Sequence, residues 1–312
     1  MATYITVDSG TTNTRITLVT DGVIVDALKF SVSVSENETR KECLSRLLKR
    51  GIAEILEKNQ KSAKDVSRIL ASGMITSEIG IIELEHINSP CGIEELAKNI
   101  YETTIDEISE IPFVFIRGVK YVFGNNIDMM RGEETEIYGV AKNSTESTLY
   151  VLPGSHSKLI HLDKNNRIAE FSTELTGEMI NVLASHTILS SVIDLSQLAE
   201  DAEYLQKGYL ASKEYGLNAA LFKVRSLSKF SMASSIQILS FFIGIVLSPE
   251  IENIIKSSAK KVVIGGKSQL KEPTALLLKM NSSKQIEKVS NEIATNATVF
   301  GAVKIYERYL NM

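Results

Sequence analysis

Tryptophan is absent from the 312 residues, and cysteine occurs only twice, as Cys43 and Cys91. Two cysteines in helix-like or loop-like settings give neither a disulfide framework nor a metal-ligand spacing, which fits a reducing cytoplasm. Charge of one sign is lacking too: the formal charge is −4 and no basic stripe appears, so nucleic acid is not an expected partner. The first residues show no charged-then-apolar leader pattern, and the expectation is a cytoplasmic protein. Only one long apolar run occurs, FSMASSIQILSFFIGIVL at 230–247, and Ser234, Ser235, Gln237 and Ser240 interrupt it. A membrane span needs about 20 predominantly apolar residues, so this run reads as a buried helix of a soluble domain, with no membrane partner. Two nucleotide fingerprints are missing as well. Ile264-Gly265-Gly266-Lys267-Ser268 ends like a P-loop, but Lys261 stands where its first glycine belongs, and no G-x-G-x-x-G occurs.

What is present describes a globular α/β protein. Hydrophobic residues make up 44% and charged residues 23%, and the length suits two domains. The opening stretch YITVDSGTTNTRITLV (4–19) has two strand-like runs, Tyr4–Val7 and Ile16–Val19, around one acid, one glycine and several hydroxyl or amide side chains. A related pattern recurs mid-chain in LYVLPGSHSKLIHLDKNNRIAEFST (149–173). Each copy has a strand, a Gly-Ser/Thr loop closing on a cation, a second strand, a polar turn and a third strand. Gly10 matches Gly154 and Arg15 matches Lys158, at an offset near half the chain, so we read a tandem duplication. Helices are expected over 41–58, 134–142, 177–191, 230–247 and 297–310, strands over 67–74, 111–116 and 260–266, and a linker at 142–148. Strands alternating with helices in both halves indicate α/β architecture.

Three loops suit a nucleotide. The first carries Asp8, Gly10, Thr11, Thr12 and Asn13, where backbone N–H groups and hydroxyls can take phosphate oxygens and Asp8 can hold a water-rich Mg²⁺. The second is Pro153-Gly154-Ser155-His156-Ser157-Lys158, which adds a cation. The third is the Gly265-Gly266 turn, whose bare backbone can lie against a base or ribose. Taken singly, the first is better read as a β-hairpin with a polar loop, and the third is equally well read as a tight strand-to-helix turn.

The order D-x-G-x-T, a second glycine-hydroxyl hairpin and a late strand-Gly-Gly resembles the actin, chaperone and sugar-kinase superfamily. MRGEET (130–135), PGSHSK (153–158) and TGE (176–178) are similar, in order and over nearly the whole chain, to motifs of the 2-keto-3-deoxygalactonokinases. Members often carry Asp-Trp-Gly at the first loop and Pro-Gly-Thr-His-Cys-Lys-Trp at the second. Here Ser9, Ser155, Ser157 and Leu159 take the variable places. The resemblance implies two ribonuclease-H-like, actin-like ATPase domains with an inter-domain cleft that closes on ATP, Mg²⁺ and a sugar acid. Residues 1–143 would form the substrate side, with the C-terminal helix 297–312 crossing back to it, and residues 144–296 the nucleotide side. Gly139, Ala141, Ala297, Gly301 and Ala302 would let the connecting helices approach closely.

By the same resemblance the base stands just before the connector helix. Glu133 is the favoured base, Glu134 the alternative and Asp128 the reserve, while Arg131 would grip the sugar's carboxylate. Arg131, Glu134, Gly73 and Met74 would surround the acceptor. Gly10, Thr11, Thr12, Asn13, Gly154, Ser155, His156, Lys158, Gly265 and Gly266 would bind the nucleotide, and Asp8 the metal. Glu178, at a helix start, has at most a supporting role. The expected activity is ATP-dependent phosphorylation of the terminal hydroxyl of 2-keto-3-deoxygalactonate or a close relative. The alternatives are a kinase of another sugar or small acid, and a non-catalytic ATP-binding regulator on the same fold. Oligomeric state stays open, with a homodimer one option.

Overall fold

Apolar residues on both faces of Thr3–Ser9 (β1) mark it as a strand covered on both sides, and it stands inside a mixed sheet. The computed structural model describes residues 2–34, 38–142 and 146–312. Residues 143–145, the centre of the expected linker, lie outside the described residues. The chain divides into two compact units: Met1–Asn143 with Asn165–Glu170 and Thr295–Met312, and Ser144–Lys164 with Phe171–Ala294.

In the first unit β1 pairs antiparallel with β2 (Asn13–Thr20), and β2 with β3 (Val23–Ser31). Helix α1 (Arg40–Lys58) begins at a Thr39–Glu42 capping box and buries Leu44, Leu48, Ile52 and Ile55. The chain then returns as β4 (Arg68–Gly73), parallel to β1. After β5 (Ile87–Asn88) and α2 (Ile93–Lys98) come β6 (Tyr101–Ile105) and β7 (Ser109–Phe115), giving the order β3-β2-β1-β4-β7-β6. Strands β8 (Val119–Phe123) and β9 (Asn126–Met130) form a small sheet with β5 and lead into α3 (Glu133–Val140). Ile5, Val7, Ile16, Ile69, Phe113 and Phe115 join the α1 leucines and isoleucines in this unit's core.

The second unit repeats the plan. Strands β10 (Thr148–Leu152), β11 (Ser157–Leu162) and β12 (Ile168–Glu174) are followed by four helices. These are α4 (Thr176–His186), α5 (Ala202–Tyr215), α6 (Leu217–Phe230) and α7 (Ser235–Lys256). Next come β13 (Lys261–Ile264), α8 (Lys271–Asn281) and β14 (Gln285–Lys288); α9 (Asn291–Leu310) starts in this unit and belongs to the first from Thr295 onward. The order β12-β11-β10-β13-β14 matches β3-β2-β1-β4-β7, and β13 runs parallel to β10 as β4 does to β1.

The apolar run splits differently from the expectation. Helix α6 ends at Phe230, and α7 starts only at Ser235, behind a Ser234–Gln237 capping box. The serines and glutamine that look like interruptions are the start signal. Helix α7 also continues through Pro249, which lacks one N–H, because Ile251 and Ile254 beyond it remain fully buried. It is long and apolar enough to cross a membrane, but 78% of its most apolar window is buried as the core helix of this unit. A Cβ on Gly244 would stand 2.0 Å from the Leu205 carbonyl oxygen, and one on Gly208 2.0 Å from that of Phe241. Backbone contact between α5 and α7 therefore depends on both glycines.

A second such crossing joins α3 to the part of α9 that lies in the first unit. A Cβ on Gly139 would fall 1.8 Å from the Ala297 oxygen, and one on Gly301 1.8 Å from the Thr135 oxygen. Ala297 and Ala302 are buried in the same contact region, while Ala141 follows α3 in extended conformation. Gly301→Val should cost at least about 1–3 kcal/mol through overpacking. Calorimetry should show a melting temperature lowered by several degrees, and an unchanged melting curve would contradict the close crossing.

Candidate active site

In the first unit the carboxyl ends of β1 and β4 meet the start of α3. Gly73 (φ 84°) lies so close to β1 that a Cβ there would stand 2.4 Å from the Ser9 oxygen. On Gly132 (φ 115°) a Cβ would stand 3.3 Å from the Gly73 Cα. Ser9, Gly73 and Gly132 are thus stacked backbone on backbone, which brings Asp8 and Glu133, one residue to either side, to one end of the sheet. Asp8 is half-buried, opposite Arg15 on β2 and Ser72 on β4. Beyond it the Gly10-Thr11-Thr12 loop is exposed, closed by Gly10 N–H donating to the Asn13 carbonyl at 2.8 Å. The Asn13 amide donates to Thr12 Oγ1 at 2.9 Å.

The two acids at the start of α3 differ sharply. Glu133 is half-buried, and its Oε2 accepts from the Arg131 backbone N–H at 3.0 Å. Glu134 is fully buried and accepts from the Gly132 N–H at 2.8 Å. Burial, reinforced by the neighbouring Glu133 charge, pushes its carboxyl up to about 8. Asp128 lies on β9, opposite Tyr121, with its carboxylate accepting from the Met129 N–H.

Arg131 does not present the free fork that the sequence reading gave it. Its Nη1 donates to the Thr76 carbonyl and to Thr76 Oγ1 (2.7 Å), and its Nη2 to the Leu84 carbonyl (3.1 Å) and His86 Nδ1 (3.3 Å). Those four contacts use all four terminal N–H groups. Since arginine only donates, His86 must accept at Nδ1. Burial first, then the Arg131 and Lys120 charges, holds that imidazole down to about 4, so it is neutral at pH 7. Arg131 therefore staples the segment Thr76–His86, with Met74 at its entrance, to the start of α3. Arg131→Lys keeps the charge but loses the fork. It should loosen this segment, seen as faster amide exchange across residues 76–86, and undiminished protection there would refute the staple.

In the second unit two motifs that are 18 or more residues apart in the sequence come together. Gly177 N–H donates to the Gly154 carbonyl at 3.1 Å and Glu178 N–H to that of Ser155 at 3.0 Å. A Cβ on Gly177 would lie 2.3 Å from the Gly154 oxygen, so only glycine fits there. Above this contact His156 Nε2 meets Glu178 Oε2 at 2.7 Å, both side chains being about half exposed. Below it Glu250 of α7 is buried, and the Thr176 hydroxyl donates to its Oε2. A cavity of about 310 Å³ opens beside the hairpin, lined by Gly154, Ser155 and Gly177, by apolar Ile180, Leu239 and Ile243, and by polar Asn181, Gln197 and Gln269. Its size and mixed lining suit a small organic molecule.

Two expected nucleotide contacts come out differently. Lys158 is nearly buried and its ammonium donates to Thr173 Oγ1 at 2.6 Å. Its counterpart Arg15 donates to the Thr295 carbonyl and, at 2.9 Å, to Asn296. The cations that close both hairpins thus each have a hydrogen-bond partner within the chain. Gly265 and Gly266 do not line the cavity; the residues just after them, Ser268 to Leu270, do. The double glycine sets their course: Gly266 has φ 70°, and its carbonyl accepts from the buried Lys271 ammonium at 3.3 Å.

Sequence reasoning missed Glu250, Asn181 and Arg40. Asn181 is one helical turn beyond Gly177, on the same face, which is a readable signal. Arg40 donates from Nη2 to the Gly10 carbonyl at 3.1 Å, while its buried Nε has no partner. Its signal is a cation in the first turn of α1, where the helix dipole disfavours one. Among the described residues no group of three His, Cys, Asp or Glu side chains is placed to enclose a metal ion.

Two α/β units of one repeated strand order, each with a glycine-hydroxyl hairpin after its first strand, define an actin-like ATPase and sugar-kinase fold. The chain belongs to the 2-keto-3-deoxy-galactonokinase family, whose model matches residues 8–302, and it is a phosphotransferase of that family. It is 26% identical over 259 residues to the 2-dehydro-3-deoxygalactonokinase of Escherichia coli K12, covering 81% of this chain and 80% of the relative. Its fold is similar to that of a Sinorhizobium meliloti protein proposed to be a 2-dehydro-3-deoxygalactonokinase. That likeness has a TM-score of 0.79 and 21% identity, over 96% of each chain.

Proposed function

We propose that the protein is an ATP-dependent kinase that places phosphate on the terminal 6-hydroxyl of 2-keto-3-deoxygalactonate or a close relative, in the cytoplasm. The observation that carries this reading is the Ser9-Gly73-Gly132 stack, which sets Asp8 and Glu133 at one end of one sheet. On this reading Glu133 takes the proton from the hydroxyl as its oxygen attacks the γ-phosphorus, and ADP leaves with the electron pair of the broken P–O bond. Phosphoryl transfer demands mainly positioning and charge neutralisation. The donor set fits Mg²⁺, which keeps several waters and needs only one or two carboxylates; Asp8 supplies one. When bound, that ion offsets phosphate charge. In the second unit the Gly154–His156 loop is assigned to phosphate and the cavity beside it to adenosine; in the first unit the exposed Gly10–Thr12 loop, next to Asp8, offers its hydroxyls to an anionic group. Arg40, with its unpartnered Nε, is a nearby cation for an anionic group at the first loop.

The deciding experiment measures ATP consumption with 2-keto-3-deoxygalactonate, its stereoisomers and plain hexoses. Turnover restricted to keto-deoxy acids supports the proposal. Turnover with hexoses alone favours another sugar kinase, and none with any acceptor favours a regulator. Gly266→Val checks the nucleotide assignment. Forcing a β-branched residue to φ 70° costs about 1–3 kcal/mol and moves the Ser268–Leu270 lining. The KM for ATP should rise by roughly 5–100-fold with that for the sugar acid little changed. A rise confined to the sugar acid would reverse the map.

A further inference from the structure

Glu250 is the most deeply buried acid of the second unit that no step of the proposed reaction uses, being 1% exposed. It stands behind the Gly154–Ser157 loop rather than in it. Thr176, at the start of α4, donates to Oε2, and the Ser157 hydroxyl stands beside the carboxyl. Ser157 Oγ in turn accepts from the Gly154 backbone N–H at 3.3 Å. The helix that packs on the loop thus bonds this carboxyl directly, and the loop reaches its vicinity through Ser157. Its Oε1 is buried and makes no hydrogen bond.

An unpartnered oxygen in the interior is tolerable on a neutral acid and far more costly on an anion. The charged groups on the surrounding elements do not relieve it. Glu174 on β12 adds a like charge, Lys158 on β11 donates to Thr173, Glu178 on α4 is paired with His156, and Glu252 on α7 itself is held by Tyr209 and Lys213. Burial and then Glu174 raise the carboxyl to about 7, against the lowering by Thr176 and Ser157.

We propose that Glu250 supports the Gly154–Ser157 loop as a neutral carboxylic acid, so that filling the loop with the nucleotide's phosphates is coupled to uptake of one proton by Glu250. The inference rests on the nucleotide reading of that loop. The sign follows from charge. Phosphates in front of the loop favour the neutral acid behind it, so the bound protein holds the proton to a higher pH than the free protein. Below about pH 6 both states are protonated and nothing is taken up. As the pH rises from 7 to 8 the free protein loses the proton, and binding restores it.

The test is calorimetric titration of the wild-type protein with MgATP and with adenosine, in buffers of different ionisation enthalpy, at pH 6 and pH 8. Expected is near-zero uptake at pH 6, uptake approaching one proton at pH 8 for MgATP, and none for adenosine at either pH. The Kd for MgATP should rise by up to about tenfold from pH 7 to 8. Glu250→Gln, a neutral near-isostere, should bind MgATP without that uptake and with a flatter pH profile. Thr176→Val, which removes the donor to Oε2, should move the midpoint to higher pH and serves where Glu250→Gln folds poorly. Equal proton counts at pH 6 and 8 in the wild type, or an unchanged pH dependence in Glu250→Gln, overturn the coupling alone. A protein that binds no MgATP at any pH overturns the nucleotide assignment, and the coupling with it.

Discussion

Glu133→Gln lowers kcat by about 10²–10⁴-fold, the range for losing a positioned general base, while the acceptor still binds. The exchange keeps size and leaves an oxygen to accept from the Arg131 N–H, so the start of α3 holds its shape. What it removes is the only function the neutral amide cannot perform, accepting a proton. The two neighbouring acids differ from Glu133 in position. Glu134 is fully buried, its oxygens turned to the Gly132 N–H, and it is uncharged below about pH 8. It can shape the loop but cannot reach a substrate. Asp128 belongs to the β8–β9 hairpin, where the Met129 N–H engages it. Steady-state kinetics of the three neutral variants separates them. Full kcat in Glu133→Gln with loss in Asp128→Asn would move the base to the hairpin, and loss only in Glu134→Gln would mean that α3 unwinds during turnover.

Much of this arrangement was legible before any coordinates. The hairpin repeat, the strand at 68–73 and the helices at 40–58 and 133–140 follow from β-branched runs and helical spacing. The matched strand orders give the repeat a structural counterpart, β3-β2-β1-β4-β7 against β12-β11-β10-β13-β14. Several elements were illegible for physical reasons. Strands β5 and β14 have only two and four residues, too short for a period to register. Helix α5 is fixed by a glycine contact with α7 that no local pattern announces, whereas α6, absent from the expected helices, carries a readable apolar face, Leu217, Ala220, Leu221, Val224 and Leu227. The motifs RGEET, PGSHSK and TGE pointed to the right neighbourhoods but not to what each side chain does there. An arginine beside two glutamates looks like a ligand grip. The structure directs its fork to Thr76, Leu84 and His86, partners 45–55 residues away in sequence. Sequence spacing cannot reveal that competition, because the winning acceptors are mostly backbone carbonyls.

Glu250 shows the opposite limit. Glu250 follows Pro249 just beyond the apolar run at 230–247, where no local pattern marks it as buried. Only the packing of α7 beneath α4 turns it into a buried acid that supports a loop nearly 100 residues earlier in the chain.

Asp8→Asn should reduce turnover by at least about 10²–10³-fold, the scale on which single preorganised electrostatic groups act in transition states. Asp8 is the next-to-last residue of β1, whose course is set by its backbone register with β2 at Arg15 and β4 at Ser72. Asparagine has nearly the same shape, and the Ser9-Gly73-Gly132 stack, which is backbone, stays in place. The loss should therefore appear in kcat and in the Mg²⁺ concentration needed for half-maximal rate, with the melting temperature close to wild type. Nucleotide binding in the second unit, measured with adenosine, should be unaffected, since its cavity is lined by residues from 154 onward. That split separates a lost metal ligand from general damage, which would lower stability and weaken adenosine binding together. Wild-type turnover of Asp8→Asn at matched Mg²⁺ would remove Asp8 from the chemistry and leave it only its place in β1.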